Sequence, residues 1–129
     1  MRFMIVVKAD RSTEAGVLPS KAGLTRMGAL HGEMASAGVL LAGEGLQSSA
    51  KGARITLAPG KRTVTDGPFA ESKELIAGFT MVQVTSKEEA IGWAERILQI
   101  IVEEQSPGGA EIDVRQLFEP SDFAAVGKE

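Results

Sequence analysis

The sequence KRTVTDGPFAESKELIAGFTMVQVT, residues 61–85, contains the pattern that decides the fold. It begins and ends in β-type runs. Between them stand an Asp-Gly-Pro-Phe turn at residues 66–69 and a charged Glu-Ser-Lys-Glu segment at residues 71–74. Polar residues that cluster where a strand ends are often part of a binding or catalytic site. We therefore expect a site close to this turn.

Strand-type and helix-type patterns alternate through the rest of the chain. They predict strands at residues 2–8, 39–46, 53–57, 62–65, 79–85 and 111–118, and helices at residues 20–37 and 86–101. Residues 9–18 have the composition of a loop, and Ser86 with Glu89 forms a capping-box sequence. The order β-α-β, hairpin, β-α-β predicts an α+β fold, a ferredoxin-like split β-α-β sandwich with an inserted β-hairpin.

One face of the predicted sheet is left without helices. Right-handed crossovers place both helices on the same face, and Met4, Val6, Phe79 and Met81 make the other face apolar. An apolar sheet face of this size is rarely left in water. We therefore expect a homodimer in which a second copy covers it.

Composition and charge exclude several classes of protein. The 129 residues predict a single domain over 1–129, with a C-terminal tail from about residue 119. A net charge of −3 argues against a general nucleic-acid binder. No apolar run approaches the roughly 20 residues that span a bilayer, and Lys8 and Asp10 end the first run too early for a signal peptide. We expect a cytoplasmic protein without membrane or nucleic-acid partners.

The residues that commonly hold metals and cofactors are scarce. The chain has no cysteine and one histidine, so a zinc site is not expected, although an oxygen-rich magnesium or manganese site stays open. No phosphate-binding glycine motif is present. We predict that the protein needs no cofactor.

Three glycines are placed where a side chain would be costly. Gly43 and Gly45 interrupt the second predicted strand, which indicates a bulge or a close approach by another group. For Gly67, in the Asp-Gly-Pro-Phe turn, we expect either a backbone conformation that a side chain would strain or a close approach by another segment of the chain.

Two segments carry a resemblance to a known family. Residues 65–74, TDGPFAESKE, followed by IAGF, and residues 37–46, AGVLLAGEGL, resemble the YCII-related family, also called the DGPF-domain family. That family is similar to dimeric α/β-barrel proteins, whose members bind small molecules in a cavity between sheet and helices. The resemblance also implies two possible roles. Distant YCII-like enzymes use a His–Asp pair, which implies catalysis. Many members are encoded beside extracytoplasmic-function sigma factors, which implies a role in stress response or signalling.

Two residues are candidate catalytic groups. His31 lies in the apolar stripe of the first predicted helix, where a histidine is either a hydrogen-bonded core residue or a general base. Asp66 is either a turn former that bonds backbone N–H groups or a carboxylate that orients the histidine, as the enzymatic relatives imply. If the two meet, Asp66 raises the pKa of His31 above about 6.5.

The candidate ligand contacts are Glu44, Arg62, Phe69 and Ser72. Glu44 lies in an apolar strand and is costly to bury unless Arg62 or Lys73 pairs with it; alternatively it is an exposed edge carboxylate. Phe69 is either a core residue or a platform for a ligand. Ser72 lies in a segment typical of a solvated helical turn, and no G-x-S-x-G nucleophile elbow surrounds it.

Three hypotheses of function follow. The first is a cofactor-free small-molecule-binding or regulatory protein. The second is a cofactor-free lyase or isomerase acting on an aromatic or quinone-like substrate, in which His31 moves a proton and Asp66 orients it. The third, which rests on the family resemblance, is an interaction module linked to a sigma factor, and it requires an exposed apolar patch outside the dimer face.

Overall fold

The computed structural model describes residues 1–70 and 74–128 and contains the predicted α+β sandwich. The strands are β1 (Arg2–Lys8), β2 (Leu40–Gly45), β3 (Ala53–Ala58), β4 (Lys61–Asp66), β5 (Ile76–Gln83) and β6 (Ile112–Gln116). The helices are α1 (Arg11–Glu14), α2 (Lys21–Ser36) and α3 (Lys87–Glu104). Short 3₁₀ turns lie at Ser49–Lys51, Pro120–Phe123 and Val126–Lys128.

The main sheet has the strand order β2-β5-β1-β6, and every neighbouring pair is antiparallel. β5 separates β1 from β2, which is the split β-α-β arrangement. The predicted ferredoxin-like fold is therefore confirmed. Helices α2 and α3 pack on each other and on the same sheet, so one face of the sheet carries the helical layer.

The core lies between this sheet face and the two helices. Its largest fully buried side chains are Phe3 and Ile5 of β1, Val82 of β5, Met34 of α2 and Ile97 of α3. Alternation along β1 places Phe3 and Ile5 on the helix side. Burial of these apolar side chains holds the two layers together.

The helix ends follow the capping signals in the sequence. The Ser20 hydroxyl accepts a hydrogen bond from the Gly23 N–H at 3.0 Å, and the Ser86 hydroxyl accepts one from the Glu89 N–H at 3.1 Å. Gly38, just beyond α2, has a φ of +76°, a conformation that glycine adopts at little cost. The predicted helix starts are therefore confirmed.

The first loop contains a helix that the sequence pattern did not predict. Residues 9–18 include α1, whose N-cap Asp10 accepts a hydrogen bond from the Thr13 N–H at 2.9 Å, while the Thr13 hydroxyl accepts one from the Asp10 N–H at 2.8 Å. This reciprocal capping stabilises a single turn that is too short to show an apolar period.

The hairpin of β3 and β4 forms a separate two-stranded sheet. Its sequence alternates as a half-exposed strand does, yet all of its residues are exposed, including Ile55 at 65% and Leu57 at 80%. Such alternation usually predicts one buried face. That expectation is wrong for the single chain, because no layer formed by the described residues packs beneath the hairpin.

The C-terminal segment is tied to the start of the sheet. The Arg2 Nε lies 2.9 Å from the Glu119 carboxylate, and the rings of Phe118 and Phe123 lie 5.0 Å apart. Both rings remain exposed. No helix in the described part of the chain is long and apolar enough to span a membrane.

Candidate functional site

A cavity of about 440 Å³ opens between the helix-facing side of the sheet and the helices. Its wall also includes α1, the segment that follows it and the loop after β2. Apolar side chains form much of the wall: Val7, Val17, Leu18, Met27, Ile97 and Ile101. The cavity can therefore enclose the apolar part of a small organic molecule.

His31 of α2 is the imidazole that lines this cavity. Its Nε2 forms a hydrogen bond with the Thr80 hydroxyl of β5 at 3.2 Å. Thr80 is buried, so its hydroxyl needs a partner inside the protein. Burial lowers the pKa of His31 below its ordinary value near 6.5, because the uncharged ring is favoured away from water.

Gly43 of β2 provides the space for this ring. A Cβ at position 43 would lie 3.1 Å from His31 Cε1 and 3.5 Å from Thr80 Oγ1. The expected close approach at this glycine is therefore confirmed, and the approaching group is the imidazole. Gly45 also lines the cavity, but a Cβ there would meet nothing within 4 Å.

Asp10 is the carboxylate at the other end of the cavity wall. It accepts hydrogen bonds from the Thr13 N–H at 2.9 Å, the Ser12 hydroxyl at 2.7 Å and the Ser106 hydroxyl at 3.1 Å. These donors, the Thr13 N–H foremost, lower the pKa of Asp10. The carboxylate thus stays ionised and joins α1 to the loop after α3. The pattern Asp-x-x-Thr at residues 10–13 was the signal that could have identified it.

The other two charged residues of the described wall, Lys8 and Glu44, have their charged groups on the sheet face away from the helices. The Lys8 ammonium lies 3.4 Å from the carboxylate of Asp113 on the neighbouring strand β6. Glu44 is opposite Phe79 in the sheet register, and alternation along β2 therefore places it on the face opposite Gly43. It is exposed and makes no ion pair with Arg62; Lys73, the other expected partner, lies outside the described residues.

The turn at residues 66–69 makes a close backbone contact. The Gly67 N–H donates to the Gly52 carbonyl at 3.0 Å, and a Cβ on Gly67 would lie only 1.7 Å from the Ser49 carbonyl oxygen. The Phe69 N–H donates to the Ser49 hydroxyl at 3.0 Å. Gly67 is therefore required because the chain passes directly against the 3₁₀ turn at 49–51.

The same 3₁₀ turn is attached to α1. The Ser49 N–H donates to the Glu14 carboxylate at 3.0 Å, and the Ser49 hydroxyl also bonds that carboxylate. The Ser48 hydroxyl donates to the Glu14 carbonyl at 2.6 Å. Since Ser48 lines the cavity, these bonds connect the base of the hairpin with the cavity wall.

Asp66 and His31 lie on different parts of the molecule. Asp66 is the last residue of β4, opposite Ala53, is exposed and is not part of the cavity wall. No hydrogen bond joins it to His31 among the contacts of residues 1–70 and 74–128. The expectation of a raised pKa at His31 is wrong for this arrangement, because burial acts on the ring without a neighbouring carboxylate.

Two further predicted contacts, Arg62 and Phe69, also lie outside the cavity wall. Arg62 is exposed in β4, opposite Leu57. Phe69 is half-buried, and the Arg54 guanidinium stacks over its ring at 4.2 Å from the centroid, which is a cation–π contact. Ser72 lies outside the described residues, as do Glu71 and Lys73. The structure thus brings His31 and the β2 glycines together, and leaves the hairpin residues outside.

A metal site is not evident in the described chain. Among those residues, no three histidine or acidic side chains gather in an arrangement that would hold a metal ion.

Comparison with known proteins places the chain within a family. A model of the YCII-related domain matches residues 1–99. An uncharacterised protein of Rhizobium meliloti (strain 1021) is 33% identical over 64 residues, which are 50% of this chain and 49% of that protein. The chain therefore spans about half the length of this curated relative.

We predict that Gly67→Ala strongly destabilises the protein. The added methyl group would overlap the Ser49 carbonyl, so the turn must move away from the 3₁₀ turn, at a cost of about 3 kcal/mol. Urea unfolding measures this cost. The matched control is Gly92→Ala in the exposed middle of α3, where a Cβ meets nothing within 4 Å; it should gain about 0.5–1 kcal/mol. Equal midpoints for Gly67→Ala and the wild type would contradict the contact.

We predict that His31 titrates below 6.5 in the folded protein and that Asp66→Asn leaves this midpoint unchanged. The chain has a single histidine, so one imidazole resonance in an NMR pH titration reports it. The same sample in urea supplies the unfolded reference near 6.5. Because the folded pKa is depressed, the stabilisation linked to this ring is present above pH 6.5 and lost as the pH falls through the folded pKa. The opposite result would support a His–Asp pair: a titration midpoint of His31 that is higher in the folded than in the unfolded protein and that decreases in Asp66→Asn.

Proposed function

The chain belongs to the YCII-related domain family, and we propose that it is a ligand-binding or regulatory protein that holds a small organic molecule in the cavity beside His31. The observation that carries this proposal is a half-buried imidazole, positioned by Thr80 and Gly43, at the wall of a mostly apolar cavity. A concave apolar site with a few well-placed polar groups is the usual form of a small-molecule site.

The size of the cavity agrees with this proposal. Its volume of about 440 Å³ lies within the range of roughly 300–1,000 Å³ that is typical of ligand pockets. The exposed side chains of Val17, Leu18 and Leu46 stand at its wall. A ligand that covers them would remove apolar surface from water, which favours binding.

His31 supplies the directional contact in this proposal. A neutral imidazole has one N–H donor and one acceptor nitrogen. Thr80 engages Nε2, and Nδ1 makes no hydrogen bond to any of the described residues. A ligand hydroxyl or carbonyl that bonds this second nitrogen would fix the orientation of the ligand.

The alternative activity is that of a cofactor-free lyase or isomerase acting on an aromatic or quinone-like substrate. Its support is that His31, the one imidazole of the chain, lines the cavity and is uncharged near neutral pH, as a general base must be. Since Asp66 is not at this cavity, His31 would act with Thr80 as its partner. Product analysis after incubation with a bound compound separates this alternative from simple binding.

We also propose that the protein is a homodimer. Met4 lies opposite Met81 and Val6 opposite Phe79, so these four apolar side chains form one patch on the sheet face away from the helices. All four are only half-buried in the single chain. The ion pair between Lys8 and Asp113 lies at the edge of this patch. A second copy packed sheet to sheet would bury the patch and leave the cavity open, because the cavity is on the other face.

The third hypothesis, an interaction module linked to a sigma factor, is supported by one structural observation. Ile55 and Val64 are opposite each other in the hairpin register, and Leu57 is on the same side. All three are exposed, which provides the apolar patch that this hypothesis requires. Binding of a purified sigma factor to the wild type but not to Leu57→Lys would support it.

We predict that a compound which binds the cavity shifts the His31 ring resonances and raises the melting temperature. A screen of phenolic and quinone compounds tests this. Ile101→Trp narrows the cavity and should abolish both effects, whereas Ile91→Trp adds the same side chain to α3 outside the cavity wall and should preserve them. A compound whose binding is unchanged by Ile101→Trp would show that ligands bind elsewhere.

We predict that the chain sediments at twice its mass of 13.6 kDa at micromolar concentration. Met81→Lys places a charge at the centre of the apolar patch and should produce monomers. Leu24→Lys, on the helical layer at a side chain that is 60% exposed, should leave the dimer intact. Sedimentation equilibrium measures all three proteins, and a monomeric wild type would contradict the dimer.

A further inference from the structure

We propose that the cavity is selective for uncharged ligands: a mostly apolar molecule that carries a hydroxyl or carbonyl group, and not a carboxylate, a phosphate or an ammonium. This inference rests on the proposed function, because it concerns the ligand of the same cavity. It follows from the charges that the described wall does and does not present to the interior.

Among the described residues, the wall presents no cation that is free to hold an anion. The lysine of this described wall is Lys8, whose ammonium is 3.4 Å from the Asp113 carboxylate. Val6 is opposite Asp113 in the sheet register, and Val6 belongs to the face away from the helices. The Lys8 charge is thus neutralised by a partner on that other face. An anionic ligand would lose its hydration without gaining a charged partner, which is unfavourable.

The wall does present a fixed negative charge. Asp10 is ionised and held by three donors, from Ser12, Thr13 and Ser106. This carboxylate repels an anion that enters the cavity. Its charge attracts a cation, but most of its acceptor positions are already occupied by protein donors, so it can offer an ammonium few hydrogen bonds. An ammonium group would therefore lose water without obtaining a full set of hydrogen bonds.

Among the described residues, His31 is the uncharged polar group that we assign to the ligand. Its Nδ1 makes no hydrogen bond to those residues, and the buried hydroxyl of Thr80 keeps the ring in place. Gly43 leaves room for the ring, since a Cβ at this position would lie only 3.1 Å from His31 Cε1. The Nδ1 atom of a neutral imidazole can form a hydrogen bond with a neutral hydroxyl or carbonyl group of the ligand, and this contact places no charge in the cavity.

Three probes that share one ring system test the inference at pH 7.5: 2-naphthol, which is uncharged, 2-naphthoate, an anion, and 2-naphthylmethylammonium, a cation. Affinity is measured from the His31 ring resonances in NMR titrations. The expected result is that 2-naphthol binds at least tenfold more tightly than either charged probe. Equal or tighter binding of a charged probe at His31 would overturn the inference and leave the proposed function standing. If none of the three shifts the His31 resonances, the proposed function and this inference both fail.

A pair of charge variants locates the source of the selectivity. Asp10→Asn removes the negative charge at the wall while it keeps an acceptor for the Thr13 N–H, so the ratio of 2-naphthol to 2-naphthoate affinity should fall severalfold. Glu95→Gln makes the same change of net charge at an exposed position of α3 outside the cavity wall and should leave the ratio unchanged. Urea unfolding confirms that both variants fold. If both variants lower the ratio equally, the selectivity reflects net charge, and the role given to the wall is wrong.

Discussion

The contact between the Gly67 backbone and the Ser49 carbonyl is the constraint on which the arrangement around the site depends. A side chain at position 67 cannot fit there, because its Cβ would lie 1.7 Å from the carbonyl oxygen. The contact holds the base of the hairpin against the 3₁₀ turn at 49–51, and Ser49 is bonded in turn to Glu14 of α1. The Asp-Gly-Pro-Phe turn, which stands out in the sequence, therefore fixes the base of the hairpin to the 3₁₀ turn, and through Ser49 to α1 at the cavity wall.

Much of the fold was predictable because it depends on local patterns. Runs of apolar, β-forming residues predicted the strands of the sheet, and the capping sequence at Ser86 marked the start of α3 through a hydroxyl-to-backbone bond that the structure contains. The hairpin shows the limit of this approach. Alternation in β3 predicts one buried face, but it does not say which chain covers that face, and Ile55 and Leu57 are exposed in the single chain.

The site was predictable only in part, because its contacts join residues far apart in the chain. His31 and Gly43 each had a local signal, an imidazole on an apolar stripe and a glycine in a strand. The pairing of His31 with Thr80, 49 positions later, had none. Asp66 was the more conspicuous carboxylate, yet Asp10, within a segment that has the composition of a loop, is the one at the cavity wall. Asp10 caps α1 and bonds Ser106 in the loop after α3, and neither contact follows from the composition of the loop.

The central claim is that a ligand binds in the cavity beside His31 and not at the turn or the hairpin. Nuclear Overhauser contacts between bound 2-naphthol and the protein's methyl groups test this most directly. The account predicts contacts with the Met27 methyl group and with the δ-methyl group of Ile101, both on the cavity wall. Contacts with Ile55 or Leu57 of the hairpin, without any to Met27, would contradict it.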